Sequence, residues 1–256
     1  MTGILADLPA QAFGAMLVFA RIGTALMLLP AIGEAEVPVP VRLAFAMVLT
    51  ALLFPVLTGF LPAPPGDPVR MLMLVGSEAA VGLWIGFLGR FALFALVMAG
   101  QLTALLLGFA SVLTADAVIG PQGTALSRLF ALMGVTLILV TGLHEAAFGA
   151  LKASYTLIPP GRGFAAADAT GVAVRAVARS FGLALQLTAP FLVAAVMVQA
   201  SLGLLSRLVP QIQVYFLALP AQVLAGIGLL AALITAVLAA WREQAVPLIA
   251  VLPGSV

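Results

Sequence analysis

From Met71 to Leu113 the chain is almost continuously apolar and carries only two charged side chains, Glu78 and Arg90. A helix rises about 1.5 Å per residue, so about 20 apolar residues cross a hydrocarbon layer of about 30 Å. The run is too long for one such crossing and too apolar to face water along its length. The remaining sequence has the same character. Only 8% of the 256 residues are charged and 64% are apolar, whereas a soluble domain carries about 25% charged residues. Such a chain cannot cover a water-facing surface, so an integral membrane protein is expected and a cytosolic enzyme is excluded. A nucleic-acid binder is excluded too, because 11 Lys+Arg against 9 Asp+Glu leave a net charge of +2, too little for a phosphate-tracking stripe. The absence of cysteine removes disulfides, thiolate metal sites and thiol nucleophiles.

No Lys or Arg precedes the first apolar run, whose early charge is Asp7, and no small-x-small cleavage site follows it. The first segment is therefore expected to be retained rather than removed as a signal peptide. Seven hydrophobic segments follow along the chain: Phe13–Leu29, Leu43–Leu61, Met71–Gly89, Phe91–Leu113, Leu129–Leu143, Phe181–Leu205 and Val214–Trp241. Gly89-Arg90 is the expected hairpin point between the third and fourth. Pro62, Pro64, Pro65 and Gly66 close the second segment, and Gly120-Pro121-Gln122-Gly123 marks a turn. The stretch from His144 to Ser180 is the most polar. Pro190 and Pro220 lie inside the last two segments and free backbone carbonyls that neighbouring helices must satisfy. The expected fold is all-α: one membrane domain over residues 1–256, built of kinked helical hairpins with about six to seven hydrophobic helices. If all seven segments alternate across the bilayer, Arg42, Arg90, Lys152, Arg162, Arg175, Arg179 and Arg242 share one side. Arg70, Arg128 and Arg207 share the other. The richer side is then cytoplasmic, with the N-terminus outside and the C-terminus inside.

The chemistry of an enzyme is missing. His144-Glu145 opens like a zinc-protease motif, but Phe148 stands where the second histidine is required, and His144 is the chain's sole histidine. There is no phosphate-binding glycine loop, and no strand-turn nucleophile pattern accompanies Ser111. No catalytic residue, metal site or cofactor is expected.

Polar groups inside apolar segments are the informative exceptions. Arg21, Glu78 and Gln101 each interrupt a candidate span, and ionisable groups at such depth face protein or a water-filled path. Either they line a path, or Arg21 pairs with Glu78 and fixes helix register. Glu78, Gly82, Gly86 and Arg90 recur every four residues and form one ridge, smooth at its centre, suited to close helix packing. The 25 glycines and 17 prolines point to broken helices packed inside an assembly. The nine methionines, Met71, Met73, Met98 and Met197 among them, serve most simply as core filler.

The ordered set of motifs resembles the FliR family of flagellar export proteins and its virulence-secretion relatives. The densest stretch runs from Ala189-Pro190-Phe191 through Gly203, Arg207, Pro210-Gln211, Gln213 and Phe216 to Leu219-Pro220 and Gly226. Gln213 stands where the family usually has Asn. Ala20-Arg21, Gly23, Pro30, Gly33, Val37-Pro38 and Arg42 are similar to the family's first helix and loop. Glu78, Gly82, Gly86, Gly100-Gln101 and Gly108 form a third match, and Gly142, His144, Ser154-Tyr155 and Ile158-Pro159-Pro160-Gly161 a fourth. Glu145 replaces a second histidine common there, and Ala117 follows Asp116 where proline is frequent.

The resemblance implies a non-enzymatic structural and gating subunit of the flagellar type III export gate in the basal body, at the bacterial inner membrane. It implies assembly with FliP and FliQ, with FlhB and FlhA on the cytoplasmic side, around a passage for unfolded flagellar proteins. The equivalent subunit of a virulence secretion system is the nearest alternative, and a small secondary transporter an alternative of another class. Gly108 to Thr124, with Asp116, Gly120, Pro121, Gln122 and Gly123, matches the family's channel plug. Arg21, Glu78, Gly82, Gly86, Arg90, Gln101, Arg207, Pro210 and Gln211 are expected at helix-packing or subunit interfaces.

Overall fold

A computed structural model describes residues 2–108, 124–161, 166–208 and 214–250. Seven α-helices and one 3-10 turn make up these residues, with no strand among them. They are α1 (Thr2–Leu28), α2 (Val39–Leu57), the 3-10 turn Thr58–Phe60, α3 (Pro68–Leu106), α4 (Ala125–Val140), α5 (Leu143–Leu157), α6 (Ala166–Leu208) and α7 (Val214–Ala250). The all-α membrane fold holds. Among the described residues five helices are long and apolar enough to cross a bilayer, and α4 with α5 forms an apolar pair bent by 72°, a broken span or a re-entrant loop.

One boundary is corrected. Gly89-Arg90 is not a hairpin, because α3 runs unbroken from Pro68 to Leu106. An arginine in a long apolar run suggests a turn only when its guanidinium has no internal partner. Here Arg90 bonds to Leu28 O at 3.3 Å, Gly33 O at 3.4 Å and Glu34 Oε2 at 3.4 Å, so the helix keeps it at no need for bulk water. The seven-segment alternation, and the charge tally built on it, fall with the hairpin. The polar stretch after His144 is helical through α5 and the first third of α6.

The break between α4 and α5 has a local cause. Gly142 adopts φ +75°, a left-handed conformation that stops α4 and leaves Gly142 as the residue before α5. The His144 ring Nδ1 lies 3.3 Å from Ile138 O, one of the carbonyls freed at the end of α4.

The packing divides into two compact units that interleave along the sequence. One comprises Met1–Phe91, Ile138–Val177 and Val246–Val256, and the other Ala92–Leu137 and Ala178–Ala245. In the first, Leu17, Val18, Ile22 and Leu26 of α1 are buried, as are Val81, Ile85 and Leu88 of α3 and Leu151 and Tyr155 of α5. Leu88, Phe91, Val172 and Ala176 add a cluster that joins α3 to the start of α6. In the second, Leu96 and Ala99 of α3, Phe130 of α4, Leu183 and Phe191 of α6 and Trp241 of α7 are buried. The Trp241 indole N–H donates to Ala92 O at 2.8 Å and ties α7 to α3. Much apolar surface stays uncovered, with only 17% of the α2 span and 11% of the α7 span buried. That surface suits lipid or other membrane subunits rather than water.

Candidate packing and gating site

The first polar group inside a span, Arg21, sits at the centre of the first unit and is fully buried. Its Nε donates to Glu78 Oε2 of α3 at 2.7 Å. Its Nη1 donates to Ser154 O at 3.1 Å and Ser154 Oγ at 3.2 Å, and its Nη2 to Ile158 O at 2.9 Å. The Tyr155 ring lies beneath, 4.3 Å from the guanidinium carbon, and its hydroxyl donates to Val18 O at 3.4 Å. A buried guanidinium needs all its edges occupied. Here a carboxylate takes one edge, the carbonyl end of α5 takes the other, and an aromatic face covers the plane. The sequence suggested the Arg21–Glu78 pairing. The third party, α5, was legible only as the Ser154-Tyr155 and Ile158 motif residues, with no spacing that ties them to Arg21.

The ridge on α3 lies directly against α1. A Cβ placed on Gly82 would overlap Arg21 O and Thr24 Oγ1, and one on Gly86 would stand 2.6 Å from Ala25 O. Thr24 Oγ1 bridges the crossing, donating to Ala20 O at 2.7 Å and lying 3.1 Å from Ala79 O. Glycines here let two backbones approach within side-chain distance, as small residues do at membrane helix crossings. Gly89 continues the contact towards Leu29 and Pro30. The ridge ends at Arg90, which covers the last carbonyls of α1 and pairs with Glu34. Arg21–Glu78 joins α1 to α3 at one end of a smooth seam, and Arg90–Glu34 joins α3 to the turn after α1 at the other. Glu34 was not singled out from the sequence; it sits in a turn whose Ala31 has φ +74°.

In the second unit, Gln101 of α3 meets the start of α4. Thr124 Oγ1 lies 3.3 Å from Gln101 Oε1 and accepts from Ser127 N at 3.1 Å, capping the helix. Gly100 fits against Ser127 and Leu126 with no room for a Cβ. Gly108 ends α3 at φ +78°, beside the Gln222 amide of α7. Arg207 is exposed in the last turn of α6. Asp116, Gly120, Pro121, Gln122 and Gly123 of the expected plug, and Pro210 and Gln211 of the expected interface, lie outside the described residues. Among the described residues no three His, Cys, Asp or Glu side chains gather as a metal site would require.

Comparison with known proteins gives a consistent result. The family "Bacterial export proteins, family 1" matches residues 12–246. The flagellar biosynthetic protein FliR of Caulobacter vibrioides is 30% identical over 234 residues, covering 91% of this chain and 93% of its own length. That of Bacillus subtilis is 26% identical over 211 residues, 80% of each chain. The secretion system apparatus protein SsaT of Salmonella typhimurium is 27% identical over 156 residues, 60% of each.

Proposed function

The chain belongs to family 1 of the bacterial export proteins, the family of the FliR proteins, and on that premise we propose that it is a structural and gating subunit of the flagellar type III export gate. The single observation that carries this reading is similarity to a flagellar FliR protein over 91% of the chain and 93% of the relative. In this role it assembles with FliP and FliQ, with FlhB and FlhA at the cytoplasmic entrance, and unfolded flagellar proteins pass through the assembly. It carries no reaction of its own. The broad uncovered apolar faces of α2 and α7 supply the surface such an assembly buries.

The virulence-type counterpart is the second reading, favoured by the similarity to SsaT, which covers 60% of each chain. The longer flagellar match outweighs it. A transporter reading needs Arg21 and Glu78 open to a substrate, and they are instead bonded to each other and buried at 0% and 2% side-chain exposure.

A charge argument supports the orientation. With five crossing helices and α4–α5 entering and leaving on one face, Arg42, Arg128, Arg162, Arg175, Arg179 and Arg242 fall on one side. Arg70 and Arg207 fall on the other. The richer side is cytoplasmic, which sets the C-terminus inside and the N-terminus in the periplasm. The residues from Gly108 to Thr124, Asp116 and Pro121 among them, form the plug of the closed gate. Deleting part of them should make cells that express the whole gate leaky to ions and small solutes; unchanged permeability contradicts the plug.

A deletion strain tests the function. Loss of the chain should abolish secretion of hook and filament proteins, and the intact chain should restore it. Normal flagellar secretion in its absence, or a defect confined to virulence effectors, contradicts the flagellar assignment.

A further inference from the structure

The shortest helix of the fold is the most sharply two-faced. α5 has 15 residues, about 22 Å of helix, less than the hydrocarbon thickness of about 30 Å. One stripe, Leu143, Ala147, Leu151, Ser154 and Tyr155, is buried. The opposite stripe, Glu145, Gly149, Lys152 and Thr156, is exposed, at intervals of four, three and four residues. The Phe148 flank meets Phe45 of α2 with ring centroids 5.9 Å apart. The exposed stripe thus holds the chain's only lysine and an acid, groups that hydrocarbon does not accept without a partner. The exposed residues of α2, by contrast, include Val41, Leu43, Met47, Val48 and Leu52.

The roll of α5 is fixed at its C-terminal end. The guanidinium of Arg21 holds the C-terminal carbonyls of α5 at Ser154 and Ile158 with two separate nitrogens, while a third nitrogen holds Glu78. Tyr155 is clasped between the guanidinium plane and Val18 O. A lysine carries the same charge and reaches Glu78, but it lacks the planar fork that spans Ser154 and Ile158 together.

We infer that α5 is a water-facing amphipathic element of this membrane protein, and that Arg21 is the residue that sets its roll, through the shape of its guanidinium rather than through its charge. The Glu145–Gly149–Lys152–Thr156 stripe lies against water, and the Leu143–Ala147–Leu151 stripe against the protein interior. Rotation of α5 by half a turn would exchange them, and the Arg21 clasp opposes it.

The chain contains no cysteine, so single cysteines report cleanly. Gly149→Cys enters open space, with nothing within 4 Å of its Cβ; Thr156→Cys is exposed, and Ala147→Cys is buried. The full chain is labelled with a charged, water-soluble maleimide in permeabilised membranes from cells that express the complete set of export proteins. Gly149→Cys and Thr156→Cys should react readily, and Ala147→Cys at least about tenfold more slowly. If Gly149→Cys and Thr156→Cys react only after detergent solubilisation, lipid or protein covers the stripe and the water-facing assignment is overturned. Adding Arg21→Lys should raise the Ala147→Cys rate at least about fivefold; an unchanged rate overturns the role of Arg21. Should Arg21→Lys not accumulate, Tyr155→Leu decides instead. It leaves Arg21–Glu78 and the bonds to Ser154 O and Ile158 O in place, removes the ring stacked on the guanidinium plane, and should expose Ala147→Cys in the same direction to a smaller extent; a fully protected thiol there overturns the role of the guanidinium plane. These rates are read whether or not the protein exports anything, so they stand apart from the export assignment.

Discussion

A fully buried arginine is a concentrated risk, because its charge must be met within the protein or not at all. Arg21 meets it four ways, through Glu78, Ser154, Ile158 and the face of Tyr155. Removing one partner of such a pair strands the other, which costs about 3–5 kcal/mol in buried settings. Arg21→Ala and Glu78→Ala should therefore each lower the detergent-phase unfolding temperature sharply. The double variant should be destabilised by less than the sum, with a coupling of about 1–3 kcal/mol; simple additivity contradicts the pair. Gly82 carries a different burden. Its missing Cβ is what lets Arg21 O and Thr24 approach, and those atoms are backbone or short side chain and cannot swing away. Gly82→Ala should cost about 1–3 kcal/mol, read by the same unfolding measurement. Gly76→Ala on the same helix, where a Cβ would meet nothing within 4 Å, should be neutral or slightly stabilising within about 0.5 kcal/mol. Equal effects at the two glycines would contradict the close crossing.

At the scale of the element, the determining features are where helices stop and where they do not. Gly142 stops α4 because φ +75° is free for glycine and strained for other residues. Gly142→Ala should destabilise by about 1–2 kcal/mol or draw α4 and α5 towards one continuous helix, measured as a rise in helical circular dichroism or a lower unfolding temperature. Neither change would mean that the break is set elsewhere. The segment expected over Leu129–Leu143 ran through Gly142 and did not show this stop, whereas the four-residue spacing on α3 did show the ridge. The sequence misled at Gly89-Arg90, because glycine beside arginine is the usual mark of a turn. The partners that keep Arg90 in a helix, Leu28 O, Gly33 O and Glu34, lie more than fifty residues upstream, and local spacing holds no trace of them. The attachment of Ser154 and Ile158 to Arg21, across 133 and 137 residues, was hidden for the same reason. Helix existence follows from composition and local breakers; which carbonyl a guanidinium reaches follows from tertiary packing.

For the whole molecule, scarcity of charge dictated a membrane protein, and four of its charged side chains fasten helices. Arg21 and Glu78 close one end of the α1–α3 seam, and Arg90 and Glu34 the other. The division into two interleaved units was not legible, because α3, α4, α6 and α7 each continue from one unit into the other without a break in the helix. What the composition did carry is the wealth of apolar surface: α2 and α7 leave most of their spans uncovered. A subunit of a larger assembly buries such surface against sister subunits. Co-expression tests this most directly. The affinity-tagged chain is produced with and without FliP and FliQ of the same organism, extracted in mild detergent and purified. The account predicts a stable complex that retains both partners, and degradation or aggregation of the chain produced alone. A chain that is equally stable alone, and that leaves FliP and FliQ behind, would contradict it.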